Sequence, residues 1–278
     1  MAHIFVNDTG AALLHHSRDQ VPNVDDHHMH AHDSYEILYI ISGKGTYLVE
    51  STIYTLQPGC IMLMRPGEVH KLQIDPSCPY ERVALHFSGH LIEQYPGHEK
   101  LLFPFNQRPL GAGNMLLAED YNSQYIHQCL MHIEEADGNP FYGIFIHTTI
   151  PTILSEIYQG VHRRQKTNPT GNEPVVQTRL QEILAYINEH INETLSLDDL
   201  CQEFYISKTQ LGRLFRNATG STVWDYILVK RLIEARRLIL SGVPTTHAAQ
   251  SCGFRDYSAF YRAYLKRYGT SPAKDRRS

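Results

Sequence analysis

The chain has 278 residues, 42% hydrophobic and 19% charged, which is enough apolar material for packed cores and excludes wholesale disorder. Its length predicts two domains of ordinary size. No run of 18 uninterrupted apolar residues occurs, so we expect no membrane-spanning helix and no membrane partner. Five scattered cysteines without a C-x-x-C pair, and an N-terminus without a basic-then-apolar pattern, predict a cytoplasmic protein without a secretion signal.

Charge is divided unequally along the chain. The net charge is −4, which taken alone argues against a nucleic-acid partner. Residues 1–206 hold 11 Lys+Arg and 25 Asp+Glu, a net of −14. Residues 207–278 hold 14 Lys+Arg and 4 Asp+Glu, a net of +10. This asymmetry predicts an acidic domain followed by a basic module that binds a polyanion.

Short β-prone runs separated by turn residues occupy the region from Tyr35 to Ser88. The turn residues include Pro58-Gly59 and Pro66-Gly67. The predicted strands are Glu36–Ser42, Thr46–Glu50, Thr52–Leu56, Cys60–Met64, His70–Ile74 and Arg82–Phe87. Strands at such regular spacing predict an antiparallel sandwich or barrel.

Histidines crowd at the start of this β-rich region. The cluster consists of His27, His28, His30 and His32. On an extended chain His30, His32 and Glu36 point to the same side, and His70 is expected to approach from a neighbouring strand. Three imidazoles and one carboxylate suit zinc, iron, nickel or manganese. A metal-free ligand pocket and purely structural histidines are the alternatives that the sequence leaves open.

This set of residues is similar to the two motifs of the cupin barrel, which bind a metal with such ligands. The resemblance covers roughly residues 25–90. In this chain Pro66 and Gly67 are adjacent, which departs from the usual spacing of the second motif and bears on the placement of His70.

Two longer segments with a helical period follow, Asn114–Glu135 and Phe141–Val161. Their apolar stripes are Ile126, Leu130 and Ile133 in the first, and Ile146, Ile150, Ile153, Leu154 and Ile157 in the second. The stripes either pack on their own β-domain or form a dimer interface. The polar segment Arg163–Pro174, with two prolines and one glycine, predicts an exposed linker. From Val175 onward we expect only helices.

The basic module contains an internal repeat. Ser207–Gly220 and Asp256–Gly269 match with an offset of 49 residues, and each begins with an N-cap residue and ends with a glycine suited to a left-handed cap. Arg213 matches Arg262 on the exposed side. A short helix and a tight turn precede each stretch, which is the helix-turn-helix pattern. The helix predicted over Thr222–Leu240 is roughly 28 Å long. The two recognition helices are therefore expected about one DNA turn apart, roughly 34 Å.

Residues 175–278 resemble the DNA-binding domain of the AraC/XylS family of bacterial transcription regulators. The residues that carry the resemblance are Ser207, Leu211, Arg213, Leu214, Phe215, Gly220, Tyr226, Arg231, Ala235, Gly253, Phe254, Asp256, Phe260, Gly269, Ser271 and Pro272. Thr245, Ala248, Leu265 and Asp275 depart from the residues usual in the family. Smaller side chains at Thr245 and Ala248 predict looser packing of the short helix that they belong to.

The resemblance implies which residues contact DNA. Exposed positions early in the recognition helices read bases, and they are Thr209, Gly212, Arg213, Ser258, Ala259 and Arg262. Arg213 and Arg262 are the strongest base readers, because arginine can bind guanine O6 and N7 together. The remaining basic side chains fit phosphates, and they are Lys208, Arg216, Arg255, Lys266 and Arg267.

The N-terminal region also resembles the regulatory domain of this family, which is related to cupins. The resemblance implies a pocket for a small-molecule effector, and a sugar is one candidate. Its expected lining residues are His30, His32, Tyr35, Glu36, Tyr39, Tyr47, His70 and His86. Core packing is an equally open role for the tyrosines and for His86.

Together these observations predict a multidomain α+β protein. An effector-binding, cupin-like antiparallel β-barrel occupies residues 1–112, a helical coupling or dimerisation segment 113–162, a linker 163–174, and an all-α double helix-turn-helix domain 175–278. The predicted function is a homodimeric, effector-controlled transcription regulator, with activation as the favoured direction, that binds promoter DNA. Contact with RNA polymerase is left open. The alternative is a metal-dependent cupin dioxygenase or isomerase with an appended helical module.

Overall fold

The computed structural model describes residues 2–8, 10–22, 29–167, 175–176, 178–219 and 221–276. His27, His28, the predicted cap at Gly220 and residues 168–174 of the predicted linker lie outside the described residues. Within the described part of the chain, no helix is long and apolar enough to cross a membrane.

The N-terminal module is built from two antiparallel sheets packed face to face. Their strands are β1 (Ala2–Asp8), β2 (Ala12–Asp19), β3 (Tyr35–Ser42), β4 (Gly45–Val49), β5 (Thr52–Leu56), β6 (Ile61–Met64), β7 (His70–Ile74), β8 (Tyr80–Phe87), β9 (Met115–Leu116) and β10 (Val175–Val176). The first sheet has the order β1-β2-β8-β3-β6-β9, and the second has the order β10-β5-β4-β7. The predicted antiparallel β-domain is confirmed, with all six predicted strands present and their ends displaced by at most two residues.

Strand alternation gives this module two cores. On β3, Leu38 and Ile40 pack between the sheets against Tyr47 and other residues of the second sheet. Ile37 and Tyr39 face the other way, into a core shared with helices. β1 and β2 were not predicted, because β2 is rich in His, Arg and Asp and forms through its pairing with β8.

Four helices cover the outer face of the first sheet: α1 (Gly89–Glu93), α2 (His98–Asn106), α3 (Ser123–Glu135) and α4 (Tyr142–Thr167). The apolar stripes of α3 and α4, including Ile126 and Ile150, are fully buried in this core. Intramolecular packing is therefore the role of these stripes, and they are not available as a dimer interface. Helix α3 begins nine residues later than the predicted segment Asn114–Glu135, because Met115 and Leu116 pair with β6 and Asn122 caps the helix.

The end of α4 corrects the predicted linker. The helix continues to Thr167, so residues 163–167 are helical. Arg163 and Arg164 donate hydrogen bonds to the backbone carbonyls of Asp120 and Met115, which fasten this last turn to the β-domain. Beyond the undescribed residues, β10 pairs with β5 in the second sheet, so the chain is not wholly helical from Val175 onward.

The C-terminal module contains α5 (Thr178–Glu189), α6 (Leu197–Glu203), α7 (Lys208–Thr219), α8 (Val223–Leu240), α9 (Thr245–Ser251), α10 (Tyr257–Tyr268) and α11 (Pro272–Asp275). Ser196 and Thr222 form capping boxes at α6 and α8, and Asp256 caps α10 with two hydrogen bonds. Gly269 ends α10 with φ +66°, as a left-handed cap requires. Two helix-turn-helix units, α6–α7 and α9–α10, are thus joined by the 18-residue α8.

Each unit has its own hydrophobic core. Leu211 and Phe215 of α7 are buried in the first core, and Phe260 and Tyr264 of α10 in the second. Ala248, where looser packing was expected, is fully buried in the second core. The confirmed fold is a β-sheet domain followed by a helical domain with two helix-turn-helix units.

Candidate nucleic-acid interface and histidine pocket

One face of α7 is polar and exposed, opposite its buried apolar residues. The sequence places the predicted contact residues three or four positions apart, so they share this face. They are Lys208, Thr209, Gly212, Arg213 and Arg216, of which only Gly212 is half-buried. A helix with a buried apolar face and a basic free face is suited to the major groove.

The corresponding face of α10 is also exposed. Ser258, Ala259, Arg262 and Lys266 are all exposed, and Arg255 is exposed just before the helix. The structure therefore brings the predicted base-reading residues of each unit onto one helix face. Leu265, 42% exposed, lies on the same helix and offers no hydrogen bond there.

Two basic residues of the interface already have surface partners. Lys208 forms an exposed salt bridge with Asp198, 2.7 Å long, which raises the pKa of its ammonium group. Arg255 donates to the Thr194 hydroxyl over 2.9 Å. Exposed pairs of this kind contribute little stability, so both side chains can exchange these partners for a phosphate.

Arg267 differs from the prediction of a phosphate contact. Its guanidinium is half-buried and donates to the backbone carbonyl of Ala31 in the N-terminal module, 2.8 Å away. Arg267 thus forms a hydrogen bond between the helical module and the N-terminal module. Tyr205, 93% exposed in the turn between α6 and α7, was not among the predicted contact residues, although a tyrosine hydroxyl is a group that binds phosphate oxygens.

The predicted histidine cluster is assembled between the two sheets at one end of the β-domain. His30 and His70 form an isolated antiparallel bridge, with backbone hydrogen bonds of 3.0 and 2.8 Å. The ligand atoms of His30, His32 and His70 lie within 4.8 Å of one another. Glu36, 3% exposed, lies below them with Oε2 at 3.3 Å from His70 Nε2 and 3.4 Å from His32 Nε2.

His86 joins this cluster from β8. Its Nε2 lies 3.9 Å from Glu36 Oε1, and its ring packs edge-on against His32 with 4.5 Å between centroids. Residues His32, Glu36 and His86 form a second group whose ligand atoms lie within 4.8 Å of one another. His86 was predicted as a pocket residue but not as a metal ligand, because it belongs to neither motif.

Burial and mutual charge set the protonation of these groups. Desolvation by burial lowers the pKa of His32 to about 3, against the attraction of Glu36, so its imidazole is neutral and free to coordinate. Desolvation also lowers the pKa of His86. Burial alone would raise the pKa of Glu36, but the close approach of His70 and the charges of the other histidines outweigh it and lower the pKa. For His70 the attraction of Glu36 outweighs desolvation and raises the pKa.

Neighbouring residues hold the His70 ring in place. The ring stacks on Tyr47, with 5.6 Å between centroids, and its Nδ1 bonds to the backbone carbonyl of Glu68 at 2.8 Å. Glu68 is fully buried, and both of its carboxylate oxygens accept from Arg108 at 2.7 Å. Tyr47 thus contacts the cluster. Glu68 and Arg108 hold the His70 ring indirectly, and they were not predicted, because the sequence marks them only by their closeness to His70 and to Pro109-Leu110-Gly111.

Tyr35 and Tyr39 do not line this pocket. Each lies an odd number of residues from Glu36 on β3, so its side chain points to the opposite face of the sheet. Tyr35 stacks on Phe87 and bonds to Asn106, and Tyr39 packs in the helix-covered core. The prediction of these two tyrosines as lining residues is wrong.

A cavity of about 250 Å³ opens beside the histidines. Its lining includes His32 and His86 together with Ser34 and Ser88, and the rest is the chain segment from Gly10 to Leu13 with Phe87. The cavity therefore combines imidazoles, hydroxyls and apolar surface, the mixture that small-molecule sites use.

A buried carboxylate joins the two modules. Glu50, at the turn between β4 and β5, is 2% exposed and accepts from Tyr226 Oη at 2.5 Å and Lys230 Nζ at 2.6 Å, both on α8. The backbone amide of Val69 donates to the same carboxylate at 2.9 Å. Glu50 has φ +54°, a left-handed conformation that costs a non-glycine residue free energy. The sequence carries no signal of this contact, because its members lie 176 and 180 residues apart.

A second contact uses the segment that carries the histidine pair. Asp33 accepts from Arg236 of α8 at 2.5 Å, while Arg267 of α10 binds the Ala31 carbonyl. The side chain of Ala31 packs in the core of the first helix-turn-helix unit. The chain segment that carries the histidine pair is therefore in direct contact with the helical module.

Two family models match the chain. One, described as an AraC-like ligand binding domain, matches residues 20–141, and the other, described as a helix-turn-helix domain, matches residues 200–278. The HTH-type transcriptional activator RhaS of Yersinia pestis (strain Pestoides F) is 25% identical over 290 residues, with 99% of this chain and 96% of that protein covered.

Two further similarities were found. RhaS of Escherichia fergusonii is 24% identical over 261 residues and covers 89% of this chain and 86% of its own length. Among solved structures, ToxT from Vibrio cholerae O395 has a TM-score of 0.37 at 13% identity, covering 96% of this chain and 98% of that one.

Proposed function

We propose that this chain, which belongs to the AraC family of transcription regulators, is a sequence-specific activator of transcription. Its AraC-like ligand-binding domain is followed by a helix-turn-helix domain. In this proposal α7 and α10 enter successive major grooves on one face of promoter DNA. A small molecule bound in the N-terminal module changes how the helical module is held.

The single observation that carries the DNA-binding role is the pair of basic, exposed helix faces. Arg213 and Arg262 occupy matching places in the two units, and both are exposed. Because α8 is one uninterrupted helix of 18 residues, it separates the units by a fixed length. Activation, rather than repression, is supported by the activator names of the relatives over nearly the whole chain.

We place the effector in the cavity beside His32 and His86. A volume of about 250 Å³ lies just below that of sites for drug-sized ligands, so it suits a small polar molecule. Ser34 and Ser88 supply hydroxyl groups that fit the hydroxyls of a sugar. The match to an AraC-like ligand binding domain supports this assignment.

We further propose a homodimer in the cytoplasm that meets RNA polymerase at the promoter and catalyses no reaction. The apolar stripes of α3 and α4 are buried within the chain, so the dimer must use another surface. The candidates are Phe141, just before α4 and 64% exposed, and Ile144, in the first turn of α4 and 60% exposed. The enzyme alternative is not favoured, because both matched models describe parts of a regulator.

To test this proposal, the full-length protein selects binding sequences from random DNA duplexes. The spacing between the two half-sites of the selected sequence is then changed, and the affinity is measured. We expect a site with two half-sites about one helical turn apart. Inserting five base pairs between them turns one half-site to the opposite face and is expected to lower the affinity at least tenfold. Inserting ten is expected to restore part of it. An affinity that ignores both insertions would contradict the two-helix arrangement.

A further inference from the structure

The exposed face of α10 has an apolar flank. Its members are Tyr257, Tyr261 and Leu265, each between 38% and 42% exposed. They follow one another at intervals of four residues, so they lie along one side of the helix, beside Ser258 and Arg262. A contiguous apolar patch left in water on a folded domain marks a contact with another molecule.

Tyr257 is the fixed end of this flank. Its hydroxyl lies 3.0 Å from Thr245 Oγ1 of α9, and its ring packs on Phe260 with 5.6 Å between centroids. Tyr261 and Leu265 each follow a buried core residue by one position, so they are turned about 100° away from the buried side of α10. Their side chains are therefore free to contact a second molecule.

The internal repeat indicates which molecule the flank meets. With the offset of 49 residues, its three positions correspond to Lys208, Gly212 and Arg216 of α7. Lys208 and Arg216 are exposed cations on the face that the first unit offers to DNA. Because helix-turn-helix units place their recognition helices in the major groove in the same way, the flank of α10 is expected to face DNA too.

The matching flank of α7 carries no side chain at its centre. Gly212 lies inside this helix, where glycine is less favourable than alanine. Nothing beyond its immediate neighbours lies within 4 Å of the place that a Cβ would occupy. Packing within the described part of the chain therefore does not require a glycine there. The first unit offers two cations separated by bare backbone where the second offers three apolar side chains, so the two units read DNA differently.

The chemistry of the major groove identifies what an apolar flank can recognise. Phosphates and most base edges offer charges or hydrogen-bonding groups, and among the four bases only thymine presents a methyl group. Leu265 can donate no hydrogen bond, so it cannot bind a phosphate. Tyr261 and Leu265 lie one turn apart, about 6 Å along the helix, which is about two base-pair steps. The pair therefore fits the methyl groups of two thymines close together in one half-site.

We propose that Tyr261 and Leu265 read thymine methyl groups in the half-site that α10 contacts, whereas α7 reads its half-site through cationic contacts. This inference rests on the proposed function and names the DNA that the second unit prefers, a guanine for Arg262 with thymines beside it. Burying one methyl group contributes about fourfold in affinity, equivalent to about 0.8 kcal/mol. Two contacts therefore give a roughly 15-fold preference for thymine.

Replacing thymidine with deoxyuridine tests this inference, because it removes the methyl group and keeps every hydrogen bond of the base. The full-length protein first selects a site from random duplexes. Arg213→Ala and Arg262→Ala then assign the half-sites, since each variant should become insensitive to base changes in its own half-site. Uracil in the α10 half-site is expected to weaken wild-type binding about fourfold per methyl group, and uracil in the α7 half-site less than about twofold.

Substitutions connect the effect to the two side chains. Tyr261→Ala and Leu265→Ala are each expected to bind the selected site about fourfold more weakly and to lose the penalty for one uracil. Tyr261→Phe is expected to keep both the affinity and the penalty, because the ring and not the hydroxyl makes the contact. Tyr125→Ala is the matched control, since Tyr125 is 40% exposed but lies on α3 in the N-terminal module.

The outcomes separate this inference from the proposed function. An α10 half-site selected without thymine, a wild-type affinity that ignores uracil, or a full uracil penalty in both alanine variants would overturn the inference and leave the proposed function standing. Loss of self-association in Tyr261→Ala with an unchanged uracil penalty would assign the flank to a second copy of the chain and also overturn it. A protein that selects no DNA sequence would contradict the proposed function itself, and this inference with it.

Discussion

Replacing Glu50 with alanine is expected to uncouple the two modules. The variant removes the acceptor of Tyr226 and Lys230, whose hydrogen bonds cross between the modules. The Lys230 side chain is 10% exposed, so its ammonium group would be left almost without partners in a poorly solvated place. Tyr226 keeps one hydrogen bond, from Asn188.

The magnitude follows from the burial of the pair. Removing one partner of a buried, hydrogen-bonded ion pair costs about 3–5 kcal/mol. In Glu50→Ala the two modules can separate, which returns Lys230 to water. The free-energy cost of the substitution therefore cannot exceed the free energy with which the modules associate. The lower figure, about 3 kcal/mol, corresponds to a more than hundredfold shift toward the separated arrangement.

Differential scanning calorimetry of the full chain measures this effect. The wild type is expected to unfold in one transition, because Ala31 and Val69 share a core with the first helix-turn-helix unit. Glu50→Ala is expected to show two transitions, the first at least 5 °C below that of the wild type. Glu99→Ala, in which an exposed carboxylate is lost, is the matched control.

Glu50→Gly separates the lost contact from backbone strain. Glycine adopts φ +54° freely, so this variant should also show two transitions, with the β-domain about 1 kcal/mol more stable than in Glu50→Ala. A single transition at the wild-type temperature in both variants would refute the account of Glu50 as the link between modules.

Three further changes have defined outcomes. Asp275 is buried and accepts from Tyr264 Oη at 2.7 Å, so Asp275→Ala is expected to lower the stability of the second helix-turn-helix unit by about 2–3 kcal/mol in chemical denaturation, and an unchanged midpoint would contradict this. Ile144→Asp is expected to shift the protein toward monomer in sedimentation velocity, whereas unchanged dimers would place the interface elsewhere. Burial raises the pKa of Cys252 to about 12, so iodoacetamide at pH 8 should modify it at least tenfold more slowly than Cys78 in the native protein, with equal rates arguing against that burial.

The helical module was largely predictable from sequence because its signals are local. N-caps such as Ser196 and Asp256, the terminal Gly269 and the three-to-four-residue spacing of buried side chains define its helices, and the structure contains each of them. The repeat at an offset of 49 residues then identified the matching exposed arginines.

The histidine pocket was predictable only in part. The spacing of His30, His32 and Glu36 on an extended chain predicts that they lie together, and the structure places His32 against Glu36 and groups His30 with His32 and His70. The same alternation excludes Tyr35 and Tyr39, since both lie an odd number of residues from Glu36, and aromatic character alone was a poor guide.

The contacts between modules could not be predicted. Glu50 meets residues of α8 that are more than 170 positions away, and Asp33 meets Arg236 across 203 positions. A single sequence does not distinguish a glutamate exposed on the surface from a buried glutamate that forms hydrogen bonds between modules. Their roles depend on the packing of α8 against the turn between β4 and β5, which only the assembled fold defines.

Binding of the selected DNA site, compared with unrelated DNA, by Arg213→Ala and Arg262→Ala tests the central claim most directly. A bidentate arginine–guanine contact is worth about 1–3 kcal/mol of discrimination, so each variant should bind the selected site roughly 5- to 150-fold more weakly and unrelated DNA only slightly more weakly. Arg237→Ala is the control, because Arg237 is exposed on α8, belongs to neither recognition helix and pairs with Glu234 of its own helix. Equal losses on both kinds of DNA would contradict base reading by α7 and α10.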